Sequence, residues 1–208
     1  MLRIRSTTLF VLATLAAATA SCGDAIRQST SPMLVVVDSL QGVAGQLNGT
    51  GSPAGTLLSD VIELATAPDP CSTTNPCPTV FDDFASMTVH LAAKNPGVGP
   101  STNNDVTITR YHVKYIRADG RNTQGVDVPY EFDGGVTGTV PSDGKSVVFG
   151  FEVVRHAAKK EAPLKQLSRN PTIINTIAEV TLYGTDLVGN AISATGSMSV
   201  EFGDFGDK

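Results

Sequence analysis

Residues 177–202 read IAEVTLYGTDLVGNAISATGSMSVEF, and this stretch decides the fold. Apolar and polar side chains alternate from Ala178 to Leu182 and again from Ile192 to Phe202, which is the period of a strand with one buried face. The segment 186–190 between the two runs contains Asp, Gly and Asn, the residue types that favour tight turns. The stretch therefore predicts an antiparallel β-hairpin.

Six further stretches have strand-like patterns and are separated by clusters of Gly, Pro, Asn and Asp. No long helical pattern intervenes, so the sequence predicts an all-β, antiparallel sandwich of seven or eight strands. The alternation slips near Arg110, which predicts a β-bulge. Good helix formers around 155–169, interrupted by Pro163, predict a short helix or turn that crosses between the sheets. The six stretches are 33–37, 57–64, 87–94, 106–117, 136–140 and 147–153.

The hairpin at 179–193, with Asp186, Gly189 and Asn190 at its tip, resembles the last two strands of bacterial immunoglobulin-like and fibronectin type III-like domains. The resemblance implies an immunoglobulin-like β-sandwich. The chain has no Trp, and Cys71 and Cys77 are too close in sequence to bridge two sheets, which favours the fibronectin-like variant. Because such sandwiches host many activities, the resemblance implies nothing about function.

The composition is that of a globular protein. The 208 residues are 41% hydrophobic and 17% charged, with a net charge of −5. This length suits one domain, which we place at 33–208. The acidic balance, with a pI near 5.1, argues against nucleic acid as a partner.

The first 21 residues predict a signal peptide. Arg3 and Arg5 precede a short apolar run, and small residues follow it. The run is too short to span a bilayer. Two cleavage patterns are present: 18–20 fits ordinary secretion, and 19–22 resembles the lipobox of bacterial lipoproteins, in which the cysteine, here Cys22, carries the lipid.

The lipoprotein resemblance also bears on the other cysteines. If Cys22 is acylated, Cys71 and Cys77 remain as a pair that an oxidising compartment would join as a disulfide. The alternative, a metal or redox site, lacks further ligands nearby in sequence. Residues 22–32 would then be a polar tether. Gly23, rather than Asp, after the lipidated cysteine implies the outer membrane in a host that has one, on its periplasmic or surface face.

No catalytic, cofactor or metal motif is present, and we predict no catalytic residue, cofactor or bound metal. Two polar loops are candidates for recognition, and a basic run at 155–169 is a candidate patch for anionic headgroups or an acidic partner, although a solvated surface is the plainer explanation. The loop candidates are Asp119, Arg121 and Asn122, and Asp186 and Asn190, the latter expected at the same end as 95–105. The basic candidates are Arg155, Lys159, Lys160, Lys165 and Arg169.

Three functions stay open. The favoured one is a lipid-anchored, non-enzymatic cell-envelope protein that acts as a protein-interaction or structural module. The second is an envelope ligand-binding module, for calcium or a glycan, that uses loops at an end of the sandwich. The third is an envelope enzyme with an unrecognised site.

Overall fold

The computed structural model describes residues 30–206 except 48, 98 and 100. The predicted signal peptide and Cys22 lie outside the described residues. Two short 3-10 helices, at Thr102–Asn104 and Leu164–Arg169, are present in addition to the strands and one α-helix. In chain order these are β1 (Met33–Val43), β2 (Gly45–Gln46), β3 (Gly49–Thr50), β4 (Thr56–Asp60), β5 (Glu63–Ala65), β6 (Cys77–Thr79), β7 (Asp83–Ala93), β8 (Val106–Ile116), β9 (Phe132–Val140), β10 (Val147–Val154), α1 (His156–Lys159), β11 (Ile174–Asp186) and β12 (Ala191–Gly203).

Two sheets form the sandwich. One has three strands in the order β1-β7-β10, and the other has five in the order β4-β12-β11-β8-β9. The expectation of an all-β sandwich of seven or eight strands is confirmed, with eight strands in the two sheets. Neighbouring strands in these sheets are antiparallel except β4 and β12, which pair in parallel.

The hairpin that decided the fold is present as β11 and β12, each of 13 residues. Ile174 pairs with Phe202 at one end of the hairpin, and Thr185 pairs with Ala191 at the other. The predicted bulge is also confirmed, because the register of β8 with β9 and with β11 shifts between Ile108 and Arg110. Period-two patterning therefore located both the pairing and its irregularity.

One hydrophobic core lies between the sheets. Met87 and Val89 from the three-stranded sheet and Val180 and Phe202 from the five-stranded sheet are fully buried in it. The ring of Tyr115 meets Phe202 edge-on, with 5.6 Å between the centroids. Because the buried residues form one cluster, the described part of the chain is a single sandwich.

The segment between β1 and β7 departs from the prediction of one strand at 57–64. It is divided into β4 and β5, because the backbone turns where the Asp60 carboxylate accepts a hydrogen bond from the Ile62 amide. β5 pairs with β6 in a two-stranded sheet, where Ala65 faces Cys77. The predicted disulfide is present between Cys71 and Cys77, whose Cα atoms are 5.3 Å apart. It closes the loop between β5 and β6.

The predicted crossing at 155–169 is confirmed. It consists of α1 and the second 3-10 helix, with Pro163 between them, and it leads from β10 in one sheet to β11 in the other. None of the helices in the described part of the chain has both the length and the apolar character needed to cross a bilayer.

The domain begins slightly earlier than residue 33. Ser31 is buried, and the Pro32 carbonyl oxygen accepts a hydrogen bond from the Lys94 amide. The hydroxyl of Thr30 donates to the side chain of Asn190. Residues 30–32, assigned to the tether from sequence, therefore pack on the domain, where Thr30 and Ser31 contact the tip of the β11–β12 hairpin.

Candidate functional site

The register of the five-stranded sheet sorts the loops to two ends of the sandwich. Val106 pairs with both Asp186 and Val140, so the hairpin tip at 186–190, the loop at 95–105 and the turn at 141–146 share one end. We call it the proximal end, because residue 30 meets the domain there. The opposite or distal end carries the loop at 117–131. As expected, the tip and the loop at 95–105 lie together.

Two of the predicted recognition residues, Asp186 and Asn190, stabilise the turn in which they lie. The Asp186 carboxylate accepts hydrogen bonds from the backbone amides of Val188 and Asn190 and from the Asn190 side chain, at 2.8–3.1 Å. Partial burial opposes ionisation of Asp186, but these bonds and one from Ser31 outweigh it and lower its pKa. The carboxylate is therefore a structural acceptor of the proximal end.

The other predicted loop, at the distal end, is organised around Asp119. Its carboxylate accepts a bidentate pair of bonds from the Arg117 guanidinium and further bonds from the backbone and side chain of Arg121. The bonds from Arg117, followed by those from Arg121, lower the pKa of Asp119. Asn122 accepts a bond from the Arg117 amide. The guanidinium of Arg121 remains largely exposed and can meet a partner.

Only three of the five residues of the predicted basic patch are exposed. Lys160, Lys165 and Arg169 are exposed at the distal end. The guanidinium of Arg155 lies 4.1 Å from the centre of the Phe132 ring, a cation–π contact that holds it against the domain. Lys159 does not belong to the patch, because its side chain is fully buried. The prediction was wrong for this residue, since sequence alone does not show that α1 turns Lys159 inward.

Inside the distal end, Lys159 meets Asp83. The ammonium nitrogen lies 2.9 Å from Oδ2 of Asp83, and neither side chain is exposed. The Ser59 hydroxyl donates to Oδ2 at 2.6 Å, and the Gly45 amide donates to Oδ1 at 3.0 Å. Burial raises the pKa of Asp83, and its charged and polar partners oppose that rise.

Gly45 is required at this contact. A methyl group on its Cα would lie 2.1 Å from the Asp82 carbonyl oxygen. The backbone can therefore approach closely enough to donate to Asp83 only without a side chain.

A cleft of about 490 Å³ opens beside this buried pair at the distal end. The short β2–β3 hairpin forms one wall, and β4, Glu63 and the residues after β12 form another. Glu63 helps to hold the hairpin, because its carboxylate accepts a hydrogen bond of 2.8 Å from the Leu47 amide. The wall side chains are mixed in character: Leu47, Leu58 and Phe205 are apolar, and Gln46, Asp60 and Glu63 are polar.

Asp60 is the unusual acid of the cleft. Partial burial, with the nearby charges of Asp204 and Glu63, raises its pKa to about 6, although bonds from the Ile62 and Phe205 amides act in the opposite direction. At neutral pH the carboxylate is ionised, and mild acid makes it a neutral hydrogen-bond donor. The cleft can therefore change its charge over the range in which histidine usually titrates.

Asp60→Asn is expected to remove a pH dependence of stability. The folded-state pKa of about 6 lies above the ordinary value of 3.8. The folded chain thus binds more protons between those limits, and stability falls as pH rises through them. The full shift would correspond to about 3 kcal/mol, and solvent screening of this half-exposed group reduces the expectation to about 1 kcal/mol.

Urea unfolding of both proteins from pH 4 to 8 measures the effect. Asp60→Asn should be the more stable protein above pH 6, by about 1 kcal/mol, and the two should converge near pH 4. Asp69→Asn, in an exposed loop, is the matched control and should follow the unsubstituted protein. Parallel curves for Asp60→Asn and the unsubstituted protein would contradict the prediction.

The remaining titratable groups in the described part of the chain do not cluster as metal ligands. Among the described residues, no three His, Cys, Asp or Glu side chains lie close enough together to hold a metal ion. His90 pairs with Asp38 at 2.7 Å, and His112 lies 3.4 Å from Asp133, so both histidines have acidic neighbours on the sheet surface.

Comparison with protein-family models and with curated proteins finds no match to this chain. The sequence patterns predicted neither the cleft nor the buried pair of Lys159 and Asp83. The signals were present but ambiguous, because the Gly-rich stretch 42–55 predicted only a flexible loop, and Lys159 lies within a basic run.

Proposed function

We propose that the chain is a lipid-anchored, non-enzymatic cell-envelope protein that presents the distal end of its sandwich to a protein partner. The observation that carries the proposal is the Cys71–Cys77 disulfide. The chain has three cysteines, and the disulfide joins two of them. Cys22 is the third, and acylation of its sulfur would explain the odd number of cysteines in an exported protein. Cys22 ends the lipobox-like run 19–22 and follows the apolar run of the signal peptide.

The position of residue 30 gives the anchor a direction. It meets the domain at the hairpin tip, and β11 extends from there for 13 residues, or about 44 Å, to the distal end. Residues 22–29 reach at most about 28 Å when fully extended. A lipid on Cys22 would therefore hold the proximal end near the membrane and leave the distal end facing away from it.

This direction bears on the partner. The exposed bases Lys160, Lys165 and Arg169 lie at the distal end, beyond the reach of headgroups for a domain that stands on its tether. An acidic protein surface is the better complement to them. The guanidinium of Arg121 lies at the same end and adds a fourth cationic group, one that is suited to carboxylates.

Cys22→Ser is expected to release the protein from the membrane. In a bacterial host with an outer membrane, the unsubstituted protein should fractionate with that membrane, and mass spectrometry should find a diacylated Cys22 as the first residue. Cys22→Ser should be soluble in the periplasm, because it cannot carry the lipid and can still be cleaved at the secretion-type pattern 18–20. The control with Cys71→Ser and Cys77→Ser together loses the disulfide and should stay with the membrane.

The same fractions test sorting. Gly23→Asp should shift the protein towards the inner membrane if the host reads the residue after the lipidated cysteine. A mature chain that begins at Ser21 with an unmodified Cys22 would contradict the anchor itself.

A second candidate is a ligand-binding module, and the cleft is the observation that favours it. Its mixed apolar and polar wall suits a small oligosaccharide better than calcium, since the described acids form no cluster that could hold an ion. Titration calorimetry with neutral oligosaccharides and with calcium chloride tests this candidate. Binding that Leu58→Glu abolishes would favour the cleft over the protein-partner proposal.

A further inference from the structure

We propose that Lys159 and Asp83 join covalently, through an intramolecular amide bond between the lysine nitrogen and the aspartate side-chain carbon. The two groups already meet, with 2.9 Å between Nζ and Oδ2, and both side chains are fully buried. No other hydrogen-bond acceptor among the described residues lies against the ammonium. An amine held against a carboxyl group, away from water, is the reactant arrangement of a condensation.

The surroundings favour the uncharged reactants. Passing one proton from the ammonium to the carboxylate gives an amine and a carboxylic acid and removes two charges from a site where charge is costly. Burial raises the pKa of Asp83, which is the direction this transfer requires. The free amine is the nucleophile, and the neutral acid is a better electrophile than a carboxylate.

Two donors are placed to assist. The Gly45 amide contacts Oδ1 at 3.0 Å, where negative charge develops when nitrogen attacks the side-chain carbon. The Ser59 hydroxyl donates to Oδ2 at 2.6 Å, so it can stabilise that oxygen as it leaves. Each oxygen of the carboxyl group thus has its own donor.

The step balances without a co-reactant. Nζ forms a bond to the Asp83 side-chain carbon, and the bond from that carbon to Oδ2 breaks. The second proton that nitrogen loses passes directly to the departing Oδ2 hydroxyl, which lies 2.9 Å from Nζ, and one water molecule leaves. The product is a neutral secondary amide that links the first residue of β7 to the last residue of α1.

The mass of the intact protein tests the bond. The purified full-length chain should be lighter than its sequence requires, after correction for the disulfide and any lipid, by one water molecule. Trypsin does not cut after an acylated lysine, so digestion should yield residues 156–160 attached to residues 28–94. A chain that keeps its full mass after prolonged incubation at neutral pH would overturn the proposal.

Substitutions sharpen the test. Asp83→Asn should lose ammonia instead of water and give a product of the same mass as the unsubstituted product. Lys159→Arg keeps the positive charge but supplies no amine nucleophile, so it should keep its full mass. Lys160→Arg, at the exposed neighbouring position, should react like the unsubstituted protein. Ser59→Ala should slow the loss of mass by roughly 100-fold, because Oδ2 then leaves without its hydrogen-bond donor.

Discussion

Lys159→Met is expected to lower the free energy of unfolding by about 3–5 kcal/mol, the usual cost of removing one partner from a buried ion pair. Methionine has a similar length and fills the same space. It leaves the Asp83 carboxyl without its cation in a site closed to water, with the Ser59 hydroxyl and the Gly45 amide as its remaining donors. The loss is expected whether the two side chains are paired or joined.

Urea unfolding at pH 7 measures this loss. Lys160→Met, at the exposed neighbour, should change the stability by less than about 0.5 kcal/mol. The double variant Lys159→Met with Asp83→Leu removes both charges and should recover a large part of the loss, because two apolar side chains have no desolvation cost. A single variant within about 1 kcal/mol of the unsubstituted protein would mean that the pair is open to water.

Phe202→Ala should be about as costly, at about 3–5 kcal/mol. Phe202 is fully buried where β12 faces the opposite sheet, and its ring packs edge-on against Tyr115. Truncation loses the buried ring area and leaves a cavity that rigid strands cannot close.

Phe84→Ala is the matched control for the same side chain in an exposed position. Phe84 is 46% exposed on the three-stranded sheet. Its truncation should cost less than about 1 kcal/mol, measured by the same denaturant unfolding. Equal losses at the two positions would contradict the assignment of Phe202 to the core.

Local patterns were sufficient for much of the fold. The β11–β12 hairpin, the bulge before Arg110 and the crossing around Pro163 are each coded by residues within a few positions of one another. Period-two patterning and proline chemistry act over that range, so one sequence shows them. The division of 57–64 into two strands was not visible, because it depends on the Asp60 side chain turning back to Ile62.

The candidate sites were harder to predict for the same reason. Lys159 looks like its exposed neighbour Lys160 in sequence, and only the distant Asp83 distinguishes them. Asp119 and Asp186 were read as free to bind a partner, yet each is occupied by hydrogen bonds within its own loop. Polar residues of a loop can stabilise that loop or bind a ligand, and composition does not separate the two.

The parallel pairing of β4 with β12 has a consequence for the order of folding. Thr56 lies beside Ser199, so the hydrogen bonds between β4 and β12 can form only after β12, the last strand, has been synthesised. At ribosomal speeds of about 5–20 residues per second, the interval of roughly 140 residues takes between about 7 and 28 s. Until then the chain has no complete five-stranded sheet, and closure over so long a separation is slow. The five-stranded sheet can therefore be completed only after its final strand has been synthesised.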